Sequence, residues 1–216
     1  SSDVCSSDLS PDWYWQRNYI RGTTLYDEVL KQGKHVAALL WPVTAKSEIT
    51  WNLPEIFANR RWTNQILTSA ANGTVGYQLM LNHRFGRLRD GIRQPALDNF
   101  VHASLKYTLK TYRPDLTLVH FTDLDTQRHH YGVHSEEAAA AIKRHDERIG
   151  ELMHLLHQNR MSVKRDTTVI ILGDHSQLDV RNVILINKLL REQGYLKVQN
   201  GRVTEWKAYC QNCDGS

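Results

Sequence analysis

The sequence predicts an α/β domain whose mostly parallel sheet is covered by helices on both faces. Three short apolar segments, residues 35–40, 116–121 and 168–172, have the length and composition of buried strands. Segments with helical spacing lie between them. Strands that alternate with helices form parallel sheets, and the crossover helices then cover both faces of the sheet.

The first helix and the first strand have clear end signals. Thr24 and Asp27 have the spacing of a capping pattern, and Gly33 ends the helix. The strand at residues 35–40 follows directly and is ended by Pro42. A capping role accounts for Thr24, so we do not assign it as a catalytic nucleophile.

Residues 51–91 are predicted to form an irregular insert, because aromatic residues, glycines and an Asn-Gly pair interrupt any regular period. One helix is predicted inside the insert, at residues 63–71. The next helix, at residues 95–112, has a proline in its first turn and one apolar stripe. The stripe consists of Leu97, Val101, Leu105 and Leu109.

Two further helices complete the pattern. Ser135 and the two glutamates after it predict the start of a long helix, whose apolar residues keep helical spacing to Leu156. A last helix is predicted at residues 183–193, ended by Gly194. We interpret residues 11–216 as one partial domain.

The composition excludes two classes of protein for the sequence given. Of the 216 residues, 41% are hydrophobic, and no apolar run approaches the ~20 residues that span a bilayer. The formal net charge of +4 comes from scattered basic residues. A dedicated nucleic-acid surface would cluster them. We therefore expect no membrane segment here and no nucleic-acid surface, and some attraction for phosphates.

The two ends of the sequence say little about fold or function. Residues 1–10 have no periodicity and no cleavable apolar core, and we interpret them as a non-native or disordered leader. Cys210 and Cys213 have a C-x-x-C spacing. That spacing fits half a zinc ribbon, a redox pair, a disulfide or a structural turn, and the sequence leaves these alternatives open.

Acidic and histidine residues follow two of the predicted strands. Asp125 and His129 come after the strand at residues 116–121, and Asp174 and His175 come after the strand at residues 168–172. Open parallel sheets bind ligands at the carboxyl ends of their strands. Carboxylate oxygen and imidazole nitrogen suit Zn²⁺ or another divalent transition metal. The four residues are therefore predicted metal ligands.

One acidic residue competes with this assignment. Asp123 lies two positions before Asp125 and would point to the same side of an extended chain. Asp125 is preferred, because it alone has the D-x-x-x-H spacing to His129.

The two motifs together resemble the alkaline phosphatase superfamily, and within it the type I phosphodiesterase/nucleotide pyrophosphatase family. Asp125, His129 and Gly132 match that family's Asp-x-x-x-His-x-x-Gly segment. Asp174 and His175 match its Asp-His-Gly segment, with Ser176 in place of the glycine. The likeness continues upstream, through the first helix and strand and the Trp-Pro turn after them, and extends over residues 13–216.

The resemblance also indicates what the sequence lacks. The family has a Thr or Ser nucleophile and a further metal-binding Asp upstream of these motifs, and a third metal-binding His downstream. No histidine follows His175 here. We therefore expect an internal fragment of an alkaline-phosphatase-like fold, truncated at both ends, that contains no catalytic nucleophile and is inactive alone.

The resemblance implies a hydrolase of phosphodiester or pyrophosphate bonds that acts on small nucleotide-type substrates with two divalent metal ions, for which Zn²⁺ suits the ligands. A covalent intermediate would form on the nucleophile outside this sequence. Asp125 and His129 would bind one ion, and Asp174 and His175 the other. The open alternatives are a phosphomonoesterase, sulfatase or phosphomutase of the same superfamily, or a non-catalytic metal-binding module.

Overall fold

The structure is a computed structural model that describes residues 14–58, 64–158, 167–182, 184–199 and 202–210. The described residues fall into a larger unit within Tyr14–Ser176 and a smaller unit within Gln177–Ser216. The predicted leader at residues 1–10 lies outside the described residues.

The larger unit contains three strands and six α-helices among its described residues. In chain order they are α1 (Leu25–Lys31), β1 (Val36–Leu39), β2 (Trp51–Leu53), α2 (Gln65–Ala70), α3 (Val75–Phe85), α4 (Ala96–Thr111), β3 (Leu116–Val119), α5 (Asp123–Tyr131) and α6 (Glu136–Gln158). The smaller unit contains α7 (Ile186–Glu192) and an antiparallel hairpin of β4 (Leu196–Gln199) and β5 (Arg202–Trp206).

The sheet of the larger unit is parallel, with strand order β2–β1–β3. Ala38 of β1 lies opposite Asn52 on one side and Leu118 on the other. All four residues of the central strand β1 are buried, whereas all four of β3 are only half-buried. The fold class predicted from the sequence is confirmed.

Helices cover both faces of this sheet. Val36 and Ala38 pack with Tyr26 of α1 in one apolar cluster. Leu39 points to the opposite face, because side chains alternate along a strand, and it packs in a second cluster with residues of α3 and α4. That second cluster includes the predicted stripe residues Leu97, Val101 and Leu105, with Leu109 partly buried against it.

The N-terminus of α1 confirms the predicted cap. The Thr24 hydroxyl accepts a hydrogen bond from the Asp27 backbone N–H, and the Asp27 carboxylate accepts one from the Thr24 N–H. The Arg17 guanidinium also pairs with Asp27. Hydrogen bonds from Arg17 lower the pKa of the Asp27 carboxyl from 3.8 to about 2, against the opposing effect of burial and with further help from Thr24.

This lowered pKa predicts a pH dependence. Because the folded protein binds the Asp27 proton more weakly than the unfolded chain does, the contribution to stability is complete above pH 3.8 and is lost as the pH falls toward about 2. Asp27→Asn should flatten the fall in the free energy of unfolding over that window, measured by urea denaturation. Arg17→Gln should flatten it too. A slope as steep as the wild type's in both variants would contradict the assignment.

Residues 51–91 are more regular than the sequence predicts. They contribute β2 to the main sheet and form α2 and α3. Long-range hydrogen bonds explain the difference, since the Asn52 side chain donates to the Thr44 carbonyl and the Asn52 N–H donates to the Thr74 hydroxyl. These partners lie 8 and 22 residues away, beyond the reach of a local pattern.

The predicted strand at residues 168–172 is not formed. These residues have no regular secondary structure, and the side chains of Ile170, Ile171 and Leu172 are 77%, 65% and 67% exposed. A strand needs a hydrogen-bonded neighbour and a covered face, and an apolar run alone supplies neither. The expectation of a strand there was wrong for this structure.

A buried side chain links two segments of the smaller unit. Asn187 of α7 accepts from the Cys210 N–H at 2.8 Å and donates to the Cys210 carbonyl at 2.9 Å. The helix predicted at residues 183–193 is observed as the shorter α7, and residue 183 lies outside the described residues. Cys213 also lies outside the described residues, so the alternatives for the C-x-x-C pair stay open.

No described helix is both long and apolar enough to cross a bilayer.

Candidate functional site

The start of α5 is fixed by a carboxylate of α4. Asp98 is fully buried, and its side chain accepts hydrogen bonds from the backbone N–H groups of Thr122 and Asp123, at 3.2 and 3.0 Å. These are donors that the first turn of a helix leaves without intrahelical partners. These two hydrogen bonds hold the turn between β3 and α5 against α4. They therefore fix where α5, the helix that carries Asp125 and His129, begins.

Asp123 belongs to a buried ion-pair network. Its carboxylate is fully buried and accepts two hydrogen bonds from Arg144, at 2.7 and 3.0 Å, while Arg148 lies 3.4 Å away. Burial by itself would raise the pKa of Asp123, but the hydrogen bonds from Arg144 and Gln127 and the charges of both arginines lower it. Asp123 is thus bound to α6, which supports the choice of Asp125 as the site residue.

Asp125 and His129 lie one turn apart on α5. The Asp125 Oδ1 atom is 3.4 Å from the His129 Nε2 atom. Side chains at i and i+4 share one face of a helix, so the D-x-x-x-H spacing by itself brings the pair together. Both side chains are partly exposed, at 40% and 57%. Oxygen and nitrogen donors are therefore presented to solvent from one rigid element.

Asp174 and His175 reach the same place from the segment at residues 167–176. The Asp174 Oδ2 atom is 3.6 Å from the His175 Nε2 atom, which in turn is 3.8 Å from Asp125 Oδ1. The His175 backbone N–H donates to Asp174 Oδ1 at 3.0 Å. The structure thus brings together all four residues that the sequence singled out.

Two residues at this site were missed by the sequence analysis. His120 is the first residue after β3, and its Nε2 atom is 3.8 Å from Asp174 Oδ2. Glu55 lies two positions after β2, and its Oε1 atom is 3.7 Å from His120 Nδ1. The rule that singled out Asp125 also applies to His120, which is a polar residue at the carboxyl end of a strand.

Three carboxylates and three imidazoles therefore form one chain of contacts. In spatial order they are His129, Asp125, His175, Asp174, His120 and Glu55. Burial raises the pKa of Glu55, the charge of His120 opposes this, and Asp174 and Asp125 raise it further. The negative charges thus influence one another across the site.

The chemical types of the donor atoms at this site, carboxylate oxygen and imidazole nitrogen, suit a divalent cation. One buried ring nitrogen, His120 Nδ1, has no hydrogen-bond partner among the described residues. The donors form a chain, however, and not a closed shell. Within the described part of the protein, no three His, Cys, Asp or Glu side chains are arranged around one ion.

A family model described as type I phosphodiesterase / nucleotide pyrophosphatase matches residues 2–215. The chain belongs to this family. The type I phosphodiesterase/nucleotide pyrophosphatase family is part of the alkaline phosphatase superfamily, and the α/β fold with its parallel sheet agrees with that membership. No curated protein and no solved structure matched the chain.

Membership of the type I phosphodiesterase/nucleotide pyrophosphatase family assigns the enzyme class. It is a hydrolase family whose members are generally metal-dependent, and a small phosphodiester or nucleotide substrate fits it. The match begins within the predicted leader, at residue 2.

Proposed function

We propose that this chain carries the metal-binding half of an active site that hydrolyses phosphodiester or pyrophosphate bonds in nucleotide-type substrates. The carrying observation is the convergence of Asp125, His129, Asp174 and His175 in a member of this family. We further propose that a Thr or Ser supplied by sequence outside these 216 residues is the nucleophile.

The charge of the site supports a requirement for cations. Asp125, Asp174 and Glu55 lie within one chain of contacts, and carboxylates at this spacing repel a phosphate anion. Bound cations would reverse the sign of such a surface and favour the approach of a phosphodiester.

The residues divide into two ligand pairs. Asp125 and His129 are proposed to hold one divalent ion and Asp174 and His175 the other, with Zn²⁺ the ion that suits both pairs. When bound, the ions supply positive charge for the phosphoryl oxygens and lower the pKa of a coordinated hydroxyl or water. The two pairs are adjacent, because His175 Nε2 lies 3.8 Å from Asp125 Oδ1.

The protein's own contribution is placement. The two hydrogen bonds from the start of α5 to the Asp98 carboxylate position the first pair. The partial exposure of the four side chains leaves the site open to a substrate from solvent. In the proposed reaction the hydroxyl nucleophile attacks phosphorus and releases the first alcohol or phosphate, and water then hydrolyses the covalent phosphoryl- or nucleotidyl-enzyme.

The test of this proposal combines metal binding with hydrolysis. The 216-residue chain should bind zinc, measured by metal content after dialysis, yet turn over a bis-nitrophenyl phosphodiester negligibly. The same chain extended upstream to include the nucleophile should hydrolyse the diester in a zinc-dependent way. It should favour the diester over the nitrophenyl phosphate monoester and sulfate ester, which separates the alternatives within the superfamily.

Two outcomes would contradict the proposal. If the 216-residue chain retains no zinc, the four residues are not metal ligands. If it hydrolyses the diester robustly, and His175→Ala abolishes that activity, the nucleophile lies within these residues and has been misplaced.

A further inference from the structure

A partly open cavity lies at the same edge of the sheet as the candidate site. Leu40, which directly follows β1, and Leu53, which ends β2, both line it. Pro54 and Ile56, the residues on either side of Glu55, line it as well. The cavity is therefore next to the Glu55 end of the chain of carboxylates and imidazoles, at the carboxyl ends of the strands, where open parallel sheets bind ligands.

Arg89 is the one charged residue among the described residues that line this cavity. The walls contain two uncharged polar side chains, and both are hydrogen-bonded within the protein. Gln65 donates to the Ile56 carbonyl and accepts from the Ala58 N–H, while the Ser69 hydroxyl donates to a side-chain oxygen of α3. The capacity to bind a charged group in the cavity therefore rests with Arg89.

The Arg89 guanidinium is held in place but is not neutralised. Its Nη2 atom donates to Asn82 Oδ1 at 2.6 Å, and its Cζ atom lies 5.1 Å from the centroid of the buried Phe100 ring. A guanidinium has five N–H donors, so most of them remain available. Burial lowers the pKa of Arg89, and no carboxylate of the described residues opposes this effect. Arg148, by contrast, lies beside two buried carboxylates.

We propose that Arg89 binds an outlying phosphate group of the substrate, remote from the phosphorus under attack, and that the enzyme therefore prefers substrates with more than one phosphate. This inference rests on the proposed function, because it takes the Asp and His residues as the place where the bond is cleaved. The phosphate would lie at the mouth of the cavity, where the exposed residues Gly91 and Ile92 form the rim.

The chemistry of arginine suits this role. Its planar fork of N–H donors matches two phosphate oxygens, and such charge-assisted pairs are roughly twice as strong as hydrogen bonds between neutral groups. The contacts with Asn82 and Phe100 hold the guanidinium before the ligand arrives, so less side-chain entropy is lost on binding. A partly buried cation without a carboxylate partner also keeps a positive potential that attracts an anion.

The first experiment measures phosphate binding by the metal-free 216-residue chain, followed by NMR at low ionic strength. Inorganic phosphate should shift the side-chain Nε–H signal of Arg89 in a saturable way. Arg89→Gln should weaken phosphate affinity ~10–100-fold, the loss expected for hydrogen bonds to a charged group, with the Gly91 backbone signal as the reporter. Arg93→Gln is the matched control, because Arg93 is exposed and paired with Asp90.

Wild-type phosphate affinity in Arg89→Gln, or equal losses in the Arg89 and Arg93 variants, would overturn the inference. Because no metal and no turnover are involved, either result would leave the proposed function standing. If Arg89→Gln does not fold, Arg89→Lys replaces it, since lysine keeps the charge and loses the fork. Wild-type phosphate affinity in Arg89→Lys would then overturn the inference.

The second experiment separates a phosphate of the substrate from a free phosphate ion. In the chain extended upstream, Arg89→Gln should raise KM for a nucleoside triphosphate ~10–100-fold and leave kcat close to the wild type's. KM for the bis-nitrophenyl diester, which has one phosphate, should change little. Loss of phosphate binding with both KM values unchanged would show that Arg89 binds a free ion, and would overturn the inference. No hydrolysis of either substrate by the wild type would overturn the proposed function and this inference with it.

Discussion

Replacing Arg148 with alanine is expected to lower the free energy of unfolding by about 3–5 kcal/mol, the usual cost of removing one partner from a buried ion pair. Arg148 lies on α6, 3.7 Å from Asp98 and 3.4 Å from Asp123, and both carboxylates are fully buried. Its guanidinium also lies over the Phe121 ring. Without it, two neighbouring buried carboxylates would share fewer compensating charges.

The measurement is urea denaturation at neutral pH. Arg93→Ala is the matched control, because Arg93 pairs with Asp90 in an ion pair whose side chains are 81% and 70% exposed. Exposed pairs contribute about 0–1 kcal/mol, so this variant should unfold close to the wild type. Equal stability losses in the two variants would show that the network of Asp98, Asp123 and Arg148 does not stabilise the fold.

Asp125→Ala is expected to lower both zinc affinity and diesterase rate by more than the ~10–100-fold typical of outer-shell changes. The reason is that Asp125 would contribute a ligand oxygen directly, next to His129 and His175. Asp123→Ala should leave zinc affinity of the folded protein close to the wild type's, since its carboxylate is bound to Arg144 and Arg148. It should lower the unfolding free energy instead.

The two aspartate variants must be compared where both are folded, which circular dichroism establishes before metal content and rate are measured. Rates are to be measured on the chain extended by the upstream sequence in which we propose the nucleophile lies, whereas zinc content is measured on the 216 residues alone. Loss of metal from Asp123→Ala with metal retained by Asp125→Ala would reverse the assignment of the first motif.

The elements predicted correctly from sequence are those whose signals are local. The cap at Thr24, the buried strand β1 and the stripe of α4 depend on spacings within one element, so the sequence alone indicates them. β2 was missed because its formation depends on β1 and on side-chain partners distant in sequence. The strand expected at residues 168–172 failed for the same reason, since apolar composition does not supply a neighbouring strand.

The site divides along similar lines. Asp125 and His129 are four positions apart on one helix, so helical geometry alone brings their side chains together. Their pairing can therefore be predicted from the sequence. Glu55 and His120 lie 65 positions apart and meet only because β2 and β3 flank β1 in a parallel sheet. The sequence contains no local pattern that joins them, and only the strand order reveals the contact.

The two proposed ligand pairs differ in how firmly the protein holds them before an ion binds. Asp125 and His129 project from a helix whose start is held by Asp98, so their spacing exists before any ion arrives. Asp174 and His175 lie on exposed chain without regular secondary structure. Fixing such backbone costs roughly 1–2 kcal/mol of conformational entropy per residue. Binding at the second pair must offset that cost, so the first pair should load first and at lower zinc concentration.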